Sequence, residues 1–320
     1  MNDTPKRSPA RPPLEPEFGI APPGYRLPGG ARVGPVRLQI RDLARSETFY
    51  TSVLGLVRHH RDDGTIALGA PGGGTLVELV EQPGIHPVKP LSRLGLYHFA
   101  LLLPDRSALA QFARHLRDLG IRAGMADHLV SEAFYLSDPD GLGIEVYADR
   151  PRSQWRAAGN QLIMTTDPLD HHDLLAHAGA TRFGGLPSET VMGHVHLHVR
   201  DLEVAAHFYH AALGFAKTVW NYPGALFLAA GGYHHHVGTN TWAAGAPTPG
   251  PEDARLLRWT LILPHEADVG EAARCVASAG YHVDDRGVGG FLANDPWGTA
   301  LKVTARSSRN AEDSNVRRPS

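Results

Sequence analysis

Residues 195–215 read VHLHVRDLEVAAHFYHAALGF, and residues 36–56 read VRLQIRDLARSETFYTSVLGL. In both stretches an alternating strand leads through Arg-Asp-Leu into an amphipathic helix that contains Phe-Tyr, and then to Leu-Gly and an apolar residue. Weaker copies of the same order begin at His98 and at Arg258. Self-similarity of this kind indicates one supersecondary unit that is used several times. The chain is therefore predicted to contain four such units.

Each unit is predicted to be βαβββ, because its helix is followed by two or three short strands broken by Gly, Pro or Asp. The closing strands are predicted to be GTLVELVE, GLGIEVYAD, GYHHHVGTN and GTALKVT. A single unit has a half-open sheet that must pair with a second unit, and a ligand would bind in the concave cleft between the two. The predicted fold class is α+β, with four βαβββ units.

The predicted domain organisation separates two structured halves from polar ends. It comprises a disordered leader over 1–30, a first domain over 31–150, a connector over 151–190, a second domain over 191–305 and a disordered tail over 306–320. The two ends are rich in Pro, Ser or charged residues, so they bury too little apolar surface to offset the entropy lost on ordering.

Composition narrows the classes of partner. The 320 residues carry a formal net charge of −2, which argues against nucleic acid or an anionic membrane and favours a small molecule. Cys275 is the only cysteine, which excludes an internal disulfide framework and fits a reducing compartment. The sequence has no apolar run of roughly 18 residues and no apolar secretory segment near its start. We therefore expect a cytoplasmic protein, and homo-oligomerisation is left open.

Superposing the four units identifies equivalent inward positions on their strands. The first strands place Pro35, His98, His194 and Arg258 there, and the last strands place Glu78, Glu145, His236 (or its neighbour, within one residue) and Lys302. Units two and three therefore offer metal ligands, whereas units one and four offer one carboxylate facing two cations. We expect units two and three to share the active cleft, and units one and four to pair around Glu78 with Arg258 or Lys302. The alternative is sequential pairing, with a site assembled across domains or subunits.

Two imidazoles and one carboxylate, from His98, His194 and Glu145, form the facial set that suits non-haem Fe(II) and leaves coordination positions open. Glu145 lies in an otherwise apolar strand, where a buried charge is costly unless it is paired or coordinates a cation. The alternatives are hydrogen-bonded structural histidines and a solvent-facing carboxylate. His196 and His198 share the strand face of His194 and are expected to be structural.

The repeat resembles the vicinal oxygen chelate superfamily, which contains glyoxalase I, bleomycin-resistance proteins and extradiol dioxygenases. The pattern DLxxxxxFYxxxLG is typical of that fold but not of one activity. The stretches HLVSEAFYLSDPDGLGIEVYADRP and GALFLAAGGYHHHVGTNTW are similar to catechol 2,3-dioxygenase-like proteins of bacteria. The resemblance implies two open-barrel modules and extradiol cleavage of a catechol-type aromatic diol by O2, with Fe(II) or alternatively Mn(II). The family's metal ligands fall on His98, Glu145 and His194.

The resemblance also implies three roles beside the metal. The family's acid–base histidine falls on His235 or His236, and imidazole suits that role because its ordinary pKa of ~6.5 lets it exchange a proton near neutrality. Tyr135, ten positions before Glu145, matches a tyrosine that hydrogen-bonds a substrate oxygen. His128 resembles a histidine near that tyrosine, although its offset departs from the family pattern by about two.

Two other functions remain open for the same fold. A glyoxalase-type isomerase or lyase would use Ni(II) or Zn(II) with a fourth protein ligand, supplied by the triplet at 234–236. A resistance protein that only binds small molecules would need no metal.

Overall fold

The computed structural model describes residues 18–180 and 182–306, and it contains four successive units with a connector between the second and third. The first unit comprises β1 (Arg32–Val33), β2 (Val36–Ile40), α1 (Leu43–Ser52), β3 (Val57–Asp62), β4 (Thr65–Gly69) and β5 (Thr75–Glu81). The second comprises β6 (Gly95–Leu103), α2 (Arg106–Asp118), β7 (Gly124–Asp127), β8 (Ser131–Ser137) and β9 (Gly143–Asp149).

The connector contains a 3₁₀ turn (Arg152–Gln154), β10 (Ala157–Ala158), β11 (Gln161–Leu162) and α3 (His171–Ala176). The third unit comprises β12 (Val191–His198), α4 (Leu202–Ala206), a π-helical turn (His207–Ala212), β13 (Ala216–Val219), β14 (Ala225–Ala229) and β15 (Val237–Asn240). The fourth comprises β16 (Arg255–Leu263), α5 (Glu266–Ser278), β17 (Val283–Asp285), a 3₁₀ turn (Gly287–Gly289), β18 (Phe291–Asn294) and β19 (Ala300–Ala305).

The repeated Arg-Asp-Leu motif starts a helix in both strong copies. Asp42 caps α1 by accepting a hydrogen bond from the backbone N–H of Arg45 at 2.9 Å, and Asp201 caps α4 by accepting from that of Val204 at 3.0 Å. Each cap satisfies a backbone donor that the first helical turn leaves unpaired. Within residues 18–180 and 182–306, none of the helices has the length and apolar character needed to cross a membrane.

The four units form two large sheets. One, here called the site sheet, has the strand order β13-β14-β15-β12-β6-β9-β8-β7 and combines units two and three. The other, here called the partner sheet, has the order β17-β18-β19-β16-β2-β5-β4-β3, with β1 on β16, and combines units four and one. In each sheet the first strands of two units are antiparallel neighbours, and the last strand of each unit pairs in parallel with its first.

Each sheet thus takes one unit from each half of the chain. The pairing of units two and three is the one that the distribution of metal ligands indicates, and it differs from sequential pairing within 31–150 and within 191–305. The boundaries of those two segments as domains stay a prediction.

The predicted disordered leader differs from the structure where the structure describes it. Residues 1–17 lie outside the described residues, but residues 18–30 pack against the third and fourth units. Ile20 forms an antiparallel bridge with Lys217, and Leu27 is buried. The Tyr25 hydroxyl donates a hydrogen bond to the carbonyl of Asp268. Burial of Leu27 and these hydrogen-bonded contacts hold residues 18–30 against the two units. The polar composition of residues 1–17 led the prediction to treat the whole segment alike. In the predicted tail, residues 307–320 lie outside the described residues.

The third unit's histidine triplet does not lie in a strand, contrary to the prediction for GYHHHVGTN. Strand β15 begins only at Val237. Gly231 and Gly232 both adopt positive φ, at 62° and 67°, and turn the chain after β14. The three imidazoles therefore do not alternate between two faces with the period of a strand.

Candidate metal centre

One transverse row of the site sheet assembles the centre. Across β12, β6, β9 and β8, the register aligns His194 with Ala100, Ala100 with Glu145, and Glu145 with Tyr135. His98 lies two residues before Ala100 and shares its sheet face. Because Ala100 carries only a methyl group, the side chains of His194 and Glu145 can meet above β6. The predicted ligands thus come together from three adjacent strands.

The three predicted ligands converge on one atom. The Nε2 atoms of His98 and His194 each lie 3.0 Å from the same oxygen, Glu145 Oε2. All three side chains are buried, with at most 5% of any of them exposed. Within the described residues, this is the one group of three or more His, Cys, Asp or Glu side chains with ligand atoms close enough to hold a metal, all within 4.8 Å of one another.

Burial and hydrogen bonding leave the three groups in the protonation state that metal binding requires. Burial lowers the pKa of both His98 and His194 despite the neighbouring carboxylate, so that both imidazoles stay neutral. Burial alone would raise the pKa of Glu145, but the two adjacent imidazoles, first His194 and then His98, hold it well below its usual range. Neutral imidazole and ionised carboxylate are the forms that ligate a cation.

The residues present fit a divalent metal. His194 is aligned for a hydrogen bond with Glu145, whereas His98 Nε2 has no hydrogen-bond partner although it is buried and points at the same oxygen. A buried polar atom without a partner costs roughly 1–3 kcal/mol, and a cation accepting its lone pair would remove that cost. Two imidazoles with one carboxylate form a donor set suited to Fe(II) and related first-row metals.

His235 lies directly against this centre, and a chain of hydrogen bonds fixes its tautomer. Its ring centroid is 4.0 Å from that of His194. His234 Nε2–H donates to Asp149 Oδ1 at 2.9 Å, which leaves His234 Nδ1 to accept from His235 Nδ1–H at 2.7 Å. Burial, reinforced by the surrounding imidazoles, lowers the pKa of His235 well below its ordinary value. The ring is therefore neutral with its lone pair on Nε2.

His236 lies elsewhere. Its Nδ1 accepts a hydrogen bond from the backbone N–H of Ala230 at 3.2 Å, and its ring stacks on Phe215. Burial lowers its pKa to about 3. Of the two predicted candidates for the acid–base residue, the structure brings His235 to the cluster and not His236.

Tyr135 and His128 form a pair at the other end of the row. His128 Nδ1–H donates to the carbonyl of Thr165 at 2.6 Å, and its Nε2 then accepts from the Tyr135 hydroxyl at 2.5 Å. Burial, together with the charge of Glu145, raises the pKa of Tyr135 well above its ordinary value and keeps it protonated. The structure therefore places Tyr135 against His98 and Glu145, and His128 behind it on the Tyr135 hydroxyl; their roles stay a prediction.

Sequence reasoning missed Tyr97, and it read His196 as a hydrogen-bonded residue. The register pairs His196 with His98 but Leu197 with Leu96, so Tyr97 is the extra residue of a β-bulge. The bulge turns its ring toward the same face as His98, with 4.7 Å between the two centroids. His196 is buried with no hydrogen-bond partner at Nε2. The sequence of one strand predicts neither the bulge at Tyr97 nor the unpaired His196 Nε2, because both depend on how β6 and β12 pair.

His198 agrees with the structural role predicted for it. Its Nδ1–H donates to Asn240 Oδ1 at 2.7 Å, and that oxygen also accepts from the backbone N–H of Trp242.

The partner sheet has an ion cluster at the equivalent place. Glu78 Oε2 lies 2.9 Å from Arg37 Nη1 and 3.5 Å from Arg258 Nη2. The register aligns Arg37 with both of them, so Arg37 takes the position that Ala100 has in the site sheet. The predicted contact with Arg258 is confirmed, and the further cation is Arg37. A guanidinium here neutralises the carboxylate that a metal would otherwise bind.

The sequence matches a known protein family and a named relative. Residues 32–146 and 191–303 match the Glyoxalase/Bleomycin resistance protein/Dioxygenase superfamily. A Bacillus subtilis (strain 168) protein named catechol-2,3-dioxygenase is 45% identical over 268 residues, which cover 82% of this chain and 93% of that protein.

Two solved structures share the fold at low identity. One, a protein of Bacillus subtilis subsp. subtilis strain 168, superposes with a TM-score of 0.59 at 13% identity, over 88% of this chain and 86% of that one. The other, a glyoxalase I mutant from Zea mays, gives a TM-score of 0.51 at 18% identity, over 88% and 95%.

Proposed function

The chain belongs to the Glyoxalase/Bleomycin resistance protein/Dioxygenase superfamily, and from this membership and its metal centre we propose that it is an extradiol, ring-cleaving dioxygenase. Its substrates are a catechol-type aromatic diol and O2. The observation that carries the proposal is the convergence of two neutral imidazole Nε2 atoms on one ionised carboxylate oxygen, 3.0 Å from each.

The metal is proposed to be Fe(II), with Mn(II) as the alternative, held by His98, Glu145 and His194. When bound there, the metal would supply the Lewis acidity and the redox chemistry that dioxygen activation requires. Because the protein would supply only these three ligands, a metal held there would remain accessible to the diol and to O2. The protein's own part is to hold these ligands in place and to exclude water from the cleft.

His235 is proposed to be the acid–base residue. Its Nε2 lone pair is free because Nδ1–H is committed to His234, which is itself held by Asp149. A neutral imidazole beside the centre can take a proton from a diol hydroxyl and later return it to the product. Asp149 and His234 keep the ring in that tautomer, as a carboxylate does for a catalytic histidine elsewhere.

Tyr135 and His128 are proposed to orient the substrate. The Tyr135 hydroxyl stays protonated, so it can donate a hydrogen bond either to His128 Nε2, 2.5 Å away, or to a diol oxygen at the centre. His128 is itself fixed by its bond to Thr165.

The composition of the cluster favours this function over the two alternatives. A glyoxalase-type site would take a fourth ligand from the triplet at 234–236, but within the described residues the ligand group contains only His98, Glu145 and His194. A metal-free binding protein would have no need to bury an ionised carboxylate between two imidazoles. The near-neutral charge and the single cysteine agree with the proposed small-molecule substrate and cytoplasmic location.

The test is metal content and oxygen uptake on protein prepared without air. We expect about one iron per chain and catechol-dependent oxygen uptake, with both lost in Glu145→Ala because the centre then lacks its only anionic ligand. Glu47→Ala removes a half-buried carboxylate of α1 in the first unit, far from the ligands, that pairs with Arg58 and Arg61, and as the matched control it should retain both. Bound zinc or nickel without oxygen uptake would instead support the glyoxalase-type function.

A further inference from the structure

A cavity of about 380 Å³ reaches the edge of the candidate metal centre, where His98 and Tyr135 form part of its lining. Leu96, Leu136 and Ile144 give it apolar walls. This combination of apolar walls and a reactive polar end is typical of a pocket for an aromatic ligand. The remaining lining residues should then indicate which substituent the aromatic ring of the ligand carries.

The charge of this lining is one-sided. It includes three permanent cations, Lys89, Arg93 and Arg122, and, within the described part of the chain, no Asp or Glu. The chain as a whole has 31 Lys and Arg against 33 Asp and Glu, so the excess of positive charge is local. A cleft lined by one sign of charge attracts ligands of the opposite sign.

Two of the three cations are available to a ligand. Arg93 is already neutralised, because its guanidinium makes two hydrogen bonds to Asp253 at 2.8 and 3.0 Å. The side chains of Lys89 and Arg122 are exposed, and neither has an ion-pair or hydrogen-bond partner within residues 18–180 and 182–306.

The loop that carries Lys89 lines the cavity and is tied down by hydrogen bonds. The backbone N–H of Val88 donates to the carbonyl of Asp140 at 2.8 Å, and the Ser92 hydroxyl donates to the carbonyl of Lys89 at 2.8 Å. Leu91 adopts a φ of 59°, an unfavourable conformation for a residue other than glycine. Backbone strain of this kind persists where the surroundings enforce one conformation, and it is concentrated at ligand sites.

We propose that the diol accepted by this site carries an anionic substituent, such as a carboxylate side chain, which Lys89 and Arg122 bind at the cavity mouth. The inference rests on the proposed dioxygenase function, since it names the substrate class of the same site. The apolar walls enclose the ring, the diol faces His98 and Tyr135, and the acidic group extends toward the two cations.

The test compares two diols of the same shape, 3,4-dihydroxyphenylacetate and its neutral primary amide, with the iron-loaded full chain. We expect kcat/KM to be about tenfold higher for the acid, as two partly exposed ion pairs would provide. Added salt should reduce that preference, because it screens exposed charges. Equal kcat/KM for acid and amide at low salt would overturn the inference.

Charge-removing variants identify the residues responsible. Lys89→Gln and Arg122→Gln should each lower kcat/KM for the acid by about threefold and leave the amide unchanged. Arg117→Gln removes the same charge from the exposed face of α2 and should change neither substrate. If both cavity variants behave like Arg117→Gln, the anion is not bound by these side chains and the inference is wrong.

A binding measurement separates this inference from the dioxygenase proposal. Calorimetry on metal-depleted wild-type protein should show tighter binding of the acid than of the amide, lost in the Lys89→Gln/Arg122→Gln double variant, because neither residue is a metal ligand. If that preference is found while neither diol consumes oxygen, the dioxygenase proposal fails and the anion site stands. If both diols are cleaved equally and bind equally, the anion site fails and the dioxygenase proposal stands.

Discussion

At the scale of single residues, the neighbouring histidines His235 and His236 have different environments. His235 lies against His194 with its Nδ1–H bonded to His234, whereas His236 accepts a backbone hydrogen bond from Ala230 and stacks on Phe215. Adjacent identical residues therefore lie in separate environments, and of the two only His235 contacts the ligand cluster. Sequence alone left open which of them lies there, because the turn at Gly231 and Gly232 sets their positions.

We expect His235→Gln to lower kcat by about 100-fold or more, since general acid–base catalysis contributes that much. Iron content should stay near one per chain, because His235 is not one of the three ligands. His236→Gln is the matched control, and we expect its kcat to remain within about threefold of wild type with a lower melting temperature. Steady-state oxygen uptake and metal analysis provide the measurements. Loss of kcat in His236→Gln alone would reverse the assignment.

At the scale of elements, the register between strands β12 and β6 positions the ligands. Two bulges interrupt that pair, one at Gly193 and one at Tyr97. Gly193 lies immediately before the ligand His194, and a side chain there would overlap the Tyr147 hydroxyl, which bonds to Tyr233. The close approach of β12 to Tyr147 thus depends on the missing Cβ atom.

Gly193→Ala should therefore destabilise the fold by about 1–3 kcal/mol and weaken metal binding, because relieving the overlap displaces the strand that carries His194. Gly270→Ala is the matched control, since Gly270 lies within α5 with open space around its Cα. It should gain about 0.5–1 kcal/mol from higher helix propensity. Urea unfolding and metal titration measure both effects. Wild-type stability and affinity in Gly193→Ala would show that β12 has room to move.

The elements also show which features can be read from sequence. The fourfold repeat predicts the units, and the chemistry of His98, Glu145 and His194 predicts a cluster that could hold a metal, which the structure brings together. Both can be read from sequence because strand periodicity is a local property. The bulge at Tyr97 could not be predicted in this way, since it is defined only against the register of β12. Arg37 was missed for the same reason: its contact with Glu78 depends on which strands become neighbours.

At the scale of the whole molecule, the repeated Phe-Tyr motif links the two sheets. Tyr50 of the first unit donates to Asp138 of the second at 3.2 Å, and Tyr209 of the third donates to Asp295 of the fourth at 2.9 Å. Since units two and three form the site sheet and units one and four the partner sheet, both bonds cross between sheets. The tyrosine of the repeated Phe-Tyr motif therefore joins one unit to the next through a hydrogen bond to a buried Asp carboxyl group.

Asp138 should make stability depend on pH in a direction opposite to that of the buried histidines. Burial raises its pKa to about 7, against an ordinary value of 3.8. Between these values the folded protein keeps a proton that the unfolded chain has lost, so this contribution to stability is present at low pH and is lost as the pH rises toward 7. The loss between pH 5 and pH 8 is roughly 2–3 kcal/mol. The pKa of His98 and that of His194 are lowered, so their contribution is instead lost on acidification.

Comparison with Asp138→Asn isolates this contribution. The amide oxygen can still accept from the backbone N–H groups of Asp140 and Leu142, so the turn that follows β8 should be retained. We expect the variant to gain roughly 2–3 kcal/mol relative to wild type between pH 5 and pH 8, measured by urea unfolding across that range. Asp118→Asn, at an exposed position, should follow the wild-type curve. Parallel curves for wild type and Asp138→Asn would mean that Asp138 is ionised in the folded protein, and that the link between the sheets is a charged hydrogen bond.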